Sequence, residues 1–298
     1  MGLGYQETDR NAFDYHLWSL PKVAGLLRGP RRWSKTKRYV TFVGAAQTFG
    51  RFTETPFPEI VSRWLRVNHL NFGFPGAGPE YFIQQRQQAL IDYVNGSAAC
   101  FLQIMSGRSV STSLMRRIGY GGMLEFTGGP MAGRKMMALD AYQELIRHYD
   151  SDTVLRQVSE SRNNWTSMYR VLLAKIKVPV ILLWMSKEKT ARKFAATNAR
   201  TLLGEFPQLI DENCVAELRP LVSVYVEATY PEERPQLLLN ITTRKPEAVY
   251  SEANFPNLPH WVRYYNTYYP TPLMHEFTAL SIAESLGSWP DLLKLIRL

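Results

Sequence analysis

Glycine, hydroxyl and guanidinium groups are concentrated in two short stretches of the chain. "GAAQTFGR" runs from Gly44 to Arg51, and "SGRSVSTS" runs from Ser106 to Ser113. Glycine allows the backbone to approach a ligand closely, while arginine and hydroxyl side chains bind phosphate or sulfate well. We therefore predict an anion-binding site whose residues are Gly44, Gln47, Thr48, Gly50, Arg51, Arg108, Ser109, Ser111 and Ser113.

A third glycine-rich stretch and one histidine add a catalytic element to this prediction. "NFGFPGAG" spans 71–78 and contributes Gly73, and His275 begins a predicted helix near the C-terminus. The backbones of 44–50 and 73–78 would stabilise developing negative charge, and His275 would take a proton from an acceptor hydroxyl. Thr48 is the second candidate catalytic residue, because it offers a hydroxyl in the first stretch. A histidine at a helix start can instead cap or pack, and that alternative stays open.

Apolar strands that alternate with helices would position these stretches. "RYVTFVG" (38–44), "VNHLNFG" (67–73) and "AACFLQIMSG" (98–107) are predicted strands, with helices at 56–67 and 78–96 between them. Continuous apolar strands separated by helices indicate a parallel sheet covered on both faces. Ligands of such sheets bind at the carboxyl ends of the strands, so the glycine-rich stretches should meet at one rim. We also predict helices at 134–149, 161–177 and 274–289, a strand at 178–186, and weaker strands at 218–227 and 235–242.

The predicted fold class is α/β, a three-layer α/β/α flavodoxin-like parallel sheet. Residues 1–38 form an N-terminal arm packed on a single domain at 39–298, which carries a helical insertion between its third and fourth strands. The 298 residues suffice to bury a full core without covalent cross-links. Cys100 and Cys214 lie in apolar runs and are expected to be buried free thiols, with no metal site.

Charge and hydropathy limit the classes of partner that the protein can have. The net charge is +9, and basic residues cluster at 27–39, 116–117 and 186–193. Such a field attracts anionic partners such as nucleotides, acidic glycans or anionic lipids. The chain has no recognisable nucleic-acid module, so we expect no nucleic-acid partner. Its N-terminus lacks the apolar core of a signal peptide and no apolar run approaches 18 residues, so we expect a cytoplasmic protein without a membrane span.

The order of these stretches resembles the SGNH (GDSL-type) hydrolase superfamily, whose fold is flavodoxin-like. The first family block, G-D-S-x-T-x-G, is matched by Gly44, Thr48 and Gly50. The remaining matches are Asn71 and Gly73 in the second block, Gly107 at the start of the third block, and the late histidine, His275.

The departures from that pattern remove the hydrolytic machinery. Ala46 occupies the position of the nucleophilic serine, and Arg108-Ser109 replace the asparagine of the third block. Pro272 stands where the family has the aspartate that orients the histidine. Without the serine no acyl-enzyme forms, and without the asparagine the oxyanion hole loses a donor. The resemblance therefore implies the scaffold but not a serine esterase, unless Thr48 or Ser109 replaces the nucleophile.

There are three further resemblances, of which the first is closer and covers more of the chain, whereas the other two concern short segments. The pattern G-x-x-x-T-[FY]-G-[KR]-F, with the preceding "FDY" and "LRGP", resembles an uncharacterised bacterial family, a domain of unknown function. "SGRSVSTS" resembles the second donor-binding block of PAPS-dependent sulfotransferases, in which an arginine and a serine hold the 3′-phosphate. "AAQTFGRF" resembles a phosphate-binding NTPase loop but departs from it, because alanine stands where that loop has its first glycine, and Arg51 and Phe52 stand where it needs lysine and a hydroxyl.

Two functional hypotheses follow. In the first, the protein is a group transferase that moves an acyl or sulfo group from an anionic donor of the CoA or PAPS type to a hydroxyl acceptor, with a glycan as the candidate acceptor. Arg51, Arg108 and Ser109 would hold the donor. In the second, the chain is a pseudo-hydrolase that binds an anionic ligand or a partner without catalysis. The aromatic-rich stretch "HWVRYYNTYYP" (260–270) would stack against a sugar or nucleotide. Alternatively, it belongs to the core or to a lid.

Overall fold

The structure is a computed structural model that describes residues 9–31, 33–34, 36–119, 121–192, 194–231, 235–250 and 259–297. In chain order, its strands are β1 (Tyr39–Gly44), β2 (Asn68–Gly73), β3 (Cys100–Gln103), β4 (Met115–Ile118), β5 (Met123–Phe126), β6 (Lys135–Met137), β7 (Val180–Ser186), β8 (Val224–Thr229), β9 (Gln236–Leu237) and β10 (Tyr265–Asn266).

The α-helices are α1 (Ala46–Phe49), α2 (Phe57–Leu65), α3 (Pro79–Ile83), α4 (Gln88–Asn95), α5 (Ala138–His148), α6 (Ser151–Lys175), α7 (Ala199–Leu203), α8 (Glu212–Ala216), α9 (Pro272–Gly287) and α10 (Pro290–Arg297). Short 3-10 helices lie at Gln85–Gln87, Gly129–Met131, Arg219–Leu221 and His260–Tyr264.

The central sheet has five parallel strands in the order β2-β1-β3-β7-β8. This is the flavodoxin-like order 2-1-3-4-5, with β7 and β8 as its fourth and fifth strands. Every residue of β1 and of β7 is buried, as the apolar runs "YVTFVG" and "VILLWMS" predict for inner strands of a covered sheet. The predicted fold class is confirmed.

Helices cover both faces of this sheet. Successive strand residues point to opposite faces, so Val43 and Leu102 pack with α4 and α6, while Phe42 and Ile181 pack with α2, α9 and α10. The first layer is filled by large side chains of α6 such as Trp165. The result is three layers around two continuous apolar cores, one on each face of the sheet.

The insertion between β3 and β7 differs from its prediction. It contains an antiparallel sheet, β4-β5-β6, beside α5 and α6, and is therefore not purely helical. The helix predicted at 134–149 begins as strand β6 and becomes helical only at Ala138. Gly122 and Gly133, which have φ of 81° and 80°, allow the tight turns between these strands. Backbone pairing across those turns overrides the helical periodicity.

Two other elements also differ from the sequence predictions. The helix predicted at 78–96 is divided into α3, a 3-10 turn and α4, because Gln84 has an extended backbone with φ −65° and ψ 144°. Of the weaker strands, 218–227 contains a 3-10 turn followed by β8, and 235–242 contains only the two residues of β9. Cys100 and Cys214 are buried and free, as expected.

Residues 9–31 lie against the loop that follows β1. Phe13 and Tyr15 form an apolar cluster with Phe49 and Phe52, and Asp9 pairs with Arg51. Within the described ranges, no helix combines the length and apolar composition needed to cross a membrane. The same ranges contain no group of three or more histidine, cysteine, aspartate or glutamate residues able to hold a metal ion.

Candidate functional site at the carboxyl edge of the sheet

A small pocket lies beside the loops that follow β1, β2 and β3, at the edge of the sheet where α/β proteins bind ligands. We call it the carboxyl-edge pocket, and its volume is about 70 Å³. The loops after β1 and β3 form one side, and a loop before α8 and the segment before α9 form the other. The polar side chains that line it are Gln47, Ser106, Arg108, Ser109, Gln208, Tyr268 and Tyr269.

Gln103 at the end of β3 fixes the loop after β1. Its Oε1 accepts hydrogen bonds from the Ala45 backbone N–H at 3.0 Å and from the Thr48 hydroxyl at 2.6 Å. A Cβ built on Gly44 would lie 2.8 Å from the Gln103 Cβ, so glycine is required there for close packing. The Thr48 hydroxyl is fully buried in this contact and does not line the pocket.

The second glycine-rich stretch holds the same loop from its other side. The Asn71 amide donates to the Thr48 carbonyl at 2.9 Å, and the Gly73 backbone N–H donates to Asn71 Oδ1 at 2.9 Å. A Cβ on Gly73 would lie 2.6 Å from the Phe49 Cα. Gly44, Thr48, Asn71 and Gly73, which carry part of the SGNH resemblance, therefore form the support of the pocket, and the Gly73 N–H already donates to Asn71.

The pocket floor carries methyl groups and one amide. Ala45 and Ala46 line it, and Ala46 offers no nucleophile. Gln47 is 3% exposed, and its buried Oε1 has no hydrogen-bond partner within the described part of the chain. A buried amide oxygen without a partner is costly unless a ligand donates to it. Gln47 is thus the first indication of an occupant.

Arg108 supplies the positive charge of the carboxyl-edge pocket. It follows β3, lines the pocket, and makes no ion pair with any described residue, while its guanidinium lies 5.9 Å from the centroid of the Tyr268 ring. Neither aspartate nor glutamate occurs among the described lining residues. Ser109, 8% exposed, has a hydroxyl with no hydrogen bond to the described chain. An uncompensated cation beside an unused donor favours an anionic ligand.

Two tyrosines close the pocket on the side of α9. The Gln208 amide donates to the Tyr268 hydroxyl at 2.9 Å and fixes that ring. Arg51 donates to the Tyr269 hydroxyl at 3.2 Å. Burial raises the pKa of Tyr269, and the nearby Arg51 guanidinium opposes that rise. The Tyr269 phenol therefore stays protonated at neutral pH.

Arg51 and Gly50 support the pocket from behind rather than lining it. Arg51 forms a two-point ion pair with the fully buried Asp9, with Nε and Nη2 at 2.8 and 3.0 Å from the carboxylate oxygens. Gly50 ends α1 with φ of 80°, a left-handed conformation that favours glycine. The donor-binding role that the sequence predicts for Arg51 is replaced in the structure by a contact with the N-terminal arm.

Ser111 and Ser113 lie outside the carboxyl-edge pocket, in the insertion. The Ser111 hydroxyl accepts from the Arg117 backbone N–H at 3.0 Å. The Ser113 hydroxyl donates to Glu160 at 3.0 Å and accepts from Gln157 at 2.9 Å. Both hydroxyls organise the start of the antiparallel sheet, so only the first part of "SGRSVSTS" reaches the pocket.

His275 is placed in the core and not at the rim. It is fully buried, its Nδ1 accepts from the Phe57 backbone N–H at 3.1 Å, and its ring stacks on Phe57. Burial lowers the pKa of His275 to about 3, and the Arg28 charge adds to this effect. A neutral, enclosed imidazole cannot take a proton from a ligand in the pocket, so the contacts favour the packing alternative.

Of the predicted site residues, the structure places Gln47, Arg108 and Ser109 in the carboxyl-edge pocket. The glycines of the first and second stretches support the loops around it. Sequence reasoning did not single out Ser106, Gln208 or Gln103 as site residues. Ser106 lies at the end of a predicted strand, and Tyr268 lies in the aromatic-rich stretch, so the sequence contained an indication that each could line a site. Gln208 had none, because its position depends on a loop about 100 residues farther along the chain.

A family model described as "Domain of unknown function (DUF6473)" matches residues 3–116 and 146–255. A search of curated proteins found no match. Among solved structures, the chain is similar to LAE5, an alpha/beta hydrolase enzyme from the metagenome of Lake Arreo, Spain. The two are 13% identical with a TM-score of 0.44, over 84% of this chain and 95% of that one.

Two more solved structures are esterases by their descriptions. One is a mutant of Axe2, an acetyl-xylooligosaccharide esterase from Geobacillus, at 12% identity and a TM-score of 0.39, covering 84% of this chain and 94% of that one. The other is AlinE4, an SGNH-hydrolase family esterase, at 12% identity and a TM-score of 0.31, covering 87% and 96%.

Proposed function

This chain belongs to the family described as Domain of unknown function (DUF6473), and we propose that it binds a small anionic group in the carboxyl-edge pocket. The group would be a phosphate, a sulfate or a carboxylate of a larger ligand. The observation that carries the proposal is the Arg108 guanidinium, which lines the pocket without a carboxylate partner in the described chain. Ser109 adds a hydroxyl and Gln47 an amide N–H group, and neither donates to a described residue.

The size of the pocket limits the ligand. Its 70 Å³ is about five times the 10–15 Å³ that one water requires by the same kind of measure, which suits a single tetrahedral anion. A whole nucleotide would not fit inside. If the ligand is a CoA- or PAPS-type molecule, one terminal phosphate or sulfate would enter and the remainder would lie outside, beside Tyr268.

Binding without hydrolysis is favoured by what lines the pocket. Its described lining contains no histidine, carboxylate, lysine or cysteine that could act as a general base. Ala46 replaces the nucleophile, and the Thr48 hydroxyl is held by Gln103. Ser109 has a hydroxyl but no base within the described part of the site. We therefore propose a pseudo-hydrolase scaffold that serves as a binding protein.

Group transfer is the second candidate function. It is favoured by Arg108 and Ser109 together, which suit one phosphate of a PAPS- or CoA-type donor, and by Tyr268, whose ring suits stacking with a sugar or a base. The acceptor would be a hydroxyl, with a glycan as the candidate. This reaction requires a general base, so turnover with such donors is the observation that would put transfer ahead of binding.

A thermal-shift screen tests the proposal. Sulfate, phosphate, acetate, adenosine 3′,5′-bisphosphate and CoA are each added to the full chain and to Arg108→Gln. A ligand at about 100 times its Kd stabilises the fold by about 2.7 kcal/mol, or several degrees for a chain of this size. Arg116→Gln is the matched control, because Arg116 is a surface cation that pairs with Glu125 in the insertion.

The expected result is a shift that is lost in Arg108→Gln and kept in Arg116→Gln. If no anion produces a shift, or if both variants respond like the unmodified protein, the proposal is rejected. A larger shift with the bisphosphate or CoA than with sulfate, together with product formed on a hydroxyl acceptor, would favour the transferase.

A further inference from the structure

A second and larger pocket lies at the opposite edge of the central sheet, beside the starts of β1 and β2. We call it the basic pocket. Its volume is about 410 Å³, and five cationic side chains line it without any described carboxylate among the lining residues: Lys37, Arg38, Arg63, Arg66 and Arg297. They come from three segments, namely the residues before β1, the C-terminal end of α2 and the end of α10.

Three of these cations have partners. Arg63 Nε lies 2.8 Å from Glu59 Oε1. Arg38 donates through Nε to the Ile296 carbonyl at 3.0 Å and through Nη2 to the Leu295 carbonyl, and so caps α10.

Arg297 lies over the Trp64 ring, with its guanidinium carbon 5.0 Å from the centroid. Lys37 and Arg66 are exposed, and their side chains pair with no described residue.

The local contacts do not balance the charge of the basic pocket. Among the described residues, its five cations face one carboxylate, Glu59, and the ends of two helices, each equivalent to about half a negative charge. Helix capping and the ion pair together offset about two of the five positive charges, which leaves about three. Like charges gathered in a concave site repel each other, and a multiply charged anion would relieve that repulsion.

Arg66 adds a local argument. It follows the last turn of α2 with φ of 59°, a left-handed conformation that glycine adopts without strain and arginine does not. Because Arg66 makes no ion pair within the described chain, its positive charge is available to a ligand in the basic pocket.

We propose that the basic pocket binds a diphosphate, that is, a ligand with two linked phosphate groups. The negative charge of a diphosphate is about equal in size to the three positive charges that remain unbalanced. Arginine and lysine are the usual phosphate ligands in proteins. No aromatic side chain is among the described lining residues, so the site would bind phosphate groups rather than a nucleotide base. The six residues of β1, at about 3.3 Å each, separate this site from the carboxyl-edge pocket by about 20 Å.

Calorimetric titration with inorganic pyrophosphate tests the proposal on the full chain. Arg66→Gly removes one charge and also relieves the backbone, so the variant is expected to fold. Lys37→Gln removes the second unpaired charge at an exposed site. Arg244→Gly is the matched control, because Arg244 is exposed, has φ of 57°, and lies in a turn outside the basic pocket.

The expected result is binding that weakens about tenfold or more in Arg66→Gly and in Lys37→Gln, and that is unchanged in Arg244→Gly. Binding should also persist in Arg108→Gln, so the two pockets succeed or fail separately. Three results would overturn the proposal: no binding either to free pyrophosphate or to vesicles that contain a lipid diphosphate, an equal loss in Arg244→Gly, or a loss only in Arg108→Gln.

Vesicles identify the source of the diphosphate. Phosphatidylcholine vesicles with and without a polyprenyl diphosphate are sedimented with the protein. Binding to the diphosphate vesicles that is lost in Arg66→Gly assigns a lipid headgroup, whereas binding of free pyrophosphate without vesicle binding assigns a soluble ligand.

Discussion

The buried pair of Asp9 and Arg51 should be the main electrostatic link between the N-terminal arm and the domain. Both atoms of the Asp9 carboxylate accept from the Arg51 guanidinium, at 2.8 and 3.0 Å, and Tyr15 donates to the same carboxylate at 2.9 Å. Asp9 is fully buried and Arg51 is 7% exposed. Asp9→Asn leaves a buried guanidinium without its counter-charge.

Breaking a buried pair by removing one partner costs about 3–5 kcal/mol, because the remaining charge stays desolvated. We therefore expect Asp9→Asn to lower the free energy of unfolding by that amount in urea denaturation. The control is Glu217→Gln, which breaks the Arg170–Glu217 pair at side-chain exposures of 56% and 51% and should cost no more than about 1 kcal/mol.

A double-mutant cycle with Arg51→Gln isolates the pair itself. The double variant should lose less free energy of unfolding than the sum of the two single variants, because neither charge is then left alone. A loss for Asp9→Asn as small as that for Glu217→Gln would refute the buried link, and would show that the arm is held by its apolar contacts.

Two further predictions concern the support of the pocket and the buried histidine. Gly73→Ala should lower the free energy of unfolding in urea by about 1–3 kcal/mol or more, because the added Cβ would meet the Phe49 backbone. Gly287→Ala is the control and should be neutral or stabilising, because a Cβ there has nothing within 4 Å. Equal effects of the two substitutions would contradict the packing account. The folded pKa of His275 is about 3 and its ordinary value is 6.5, so the unfolded chain binds more protons between these values and stability falls as pH falls through that window. His275→Asn should therefore remove up to about 1.4 kcal/mol per pH unit from the slope of the unfolding free energy between pH 4 and 6, and an unchanged slope would show that His275 does not titrate this way.

The fold was largely predictable because its central strands are continuous apolar runs. "YVTFVG" and "VILLWMS" form inner strands whose every residue is buried, and such runs between helices leave few arrangements other than a covered parallel sheet. The break at Gln84 and the strand β6 were not predictable in this way. The first is a change of one backbone angle in an unbroken helical pattern, and the second depends on pairing with β5.

The site was predictable only where one loop supplies it. Arg108 and Ser109 follow a strand end, so the sequence indicates their place, whereas Gln208 reaches the pocket from a distant loop. His275 shows the limit of motif spacing. Its helix buries His275, Thr278, Ala279 and Ile282, at i, i+3, i+4 and i+7, and this apolar stripe places the histidine in the core.

The most direct test of the account is a crystal of the protein soaked in selenate, whose selenium can be located by anomalous scattering. We predict selenate in the carboxyl-edge pocket within hydrogen-bond distance of the Arg108 guanidinium and the Ser109 hydroxyl, and its absence from that pocket in Arg108→Gln. Selenate found elsewhere on the protein, with this pocket empty at a concentration that raises the melting temperature, would contradict the proposal that the pocket binds an anion.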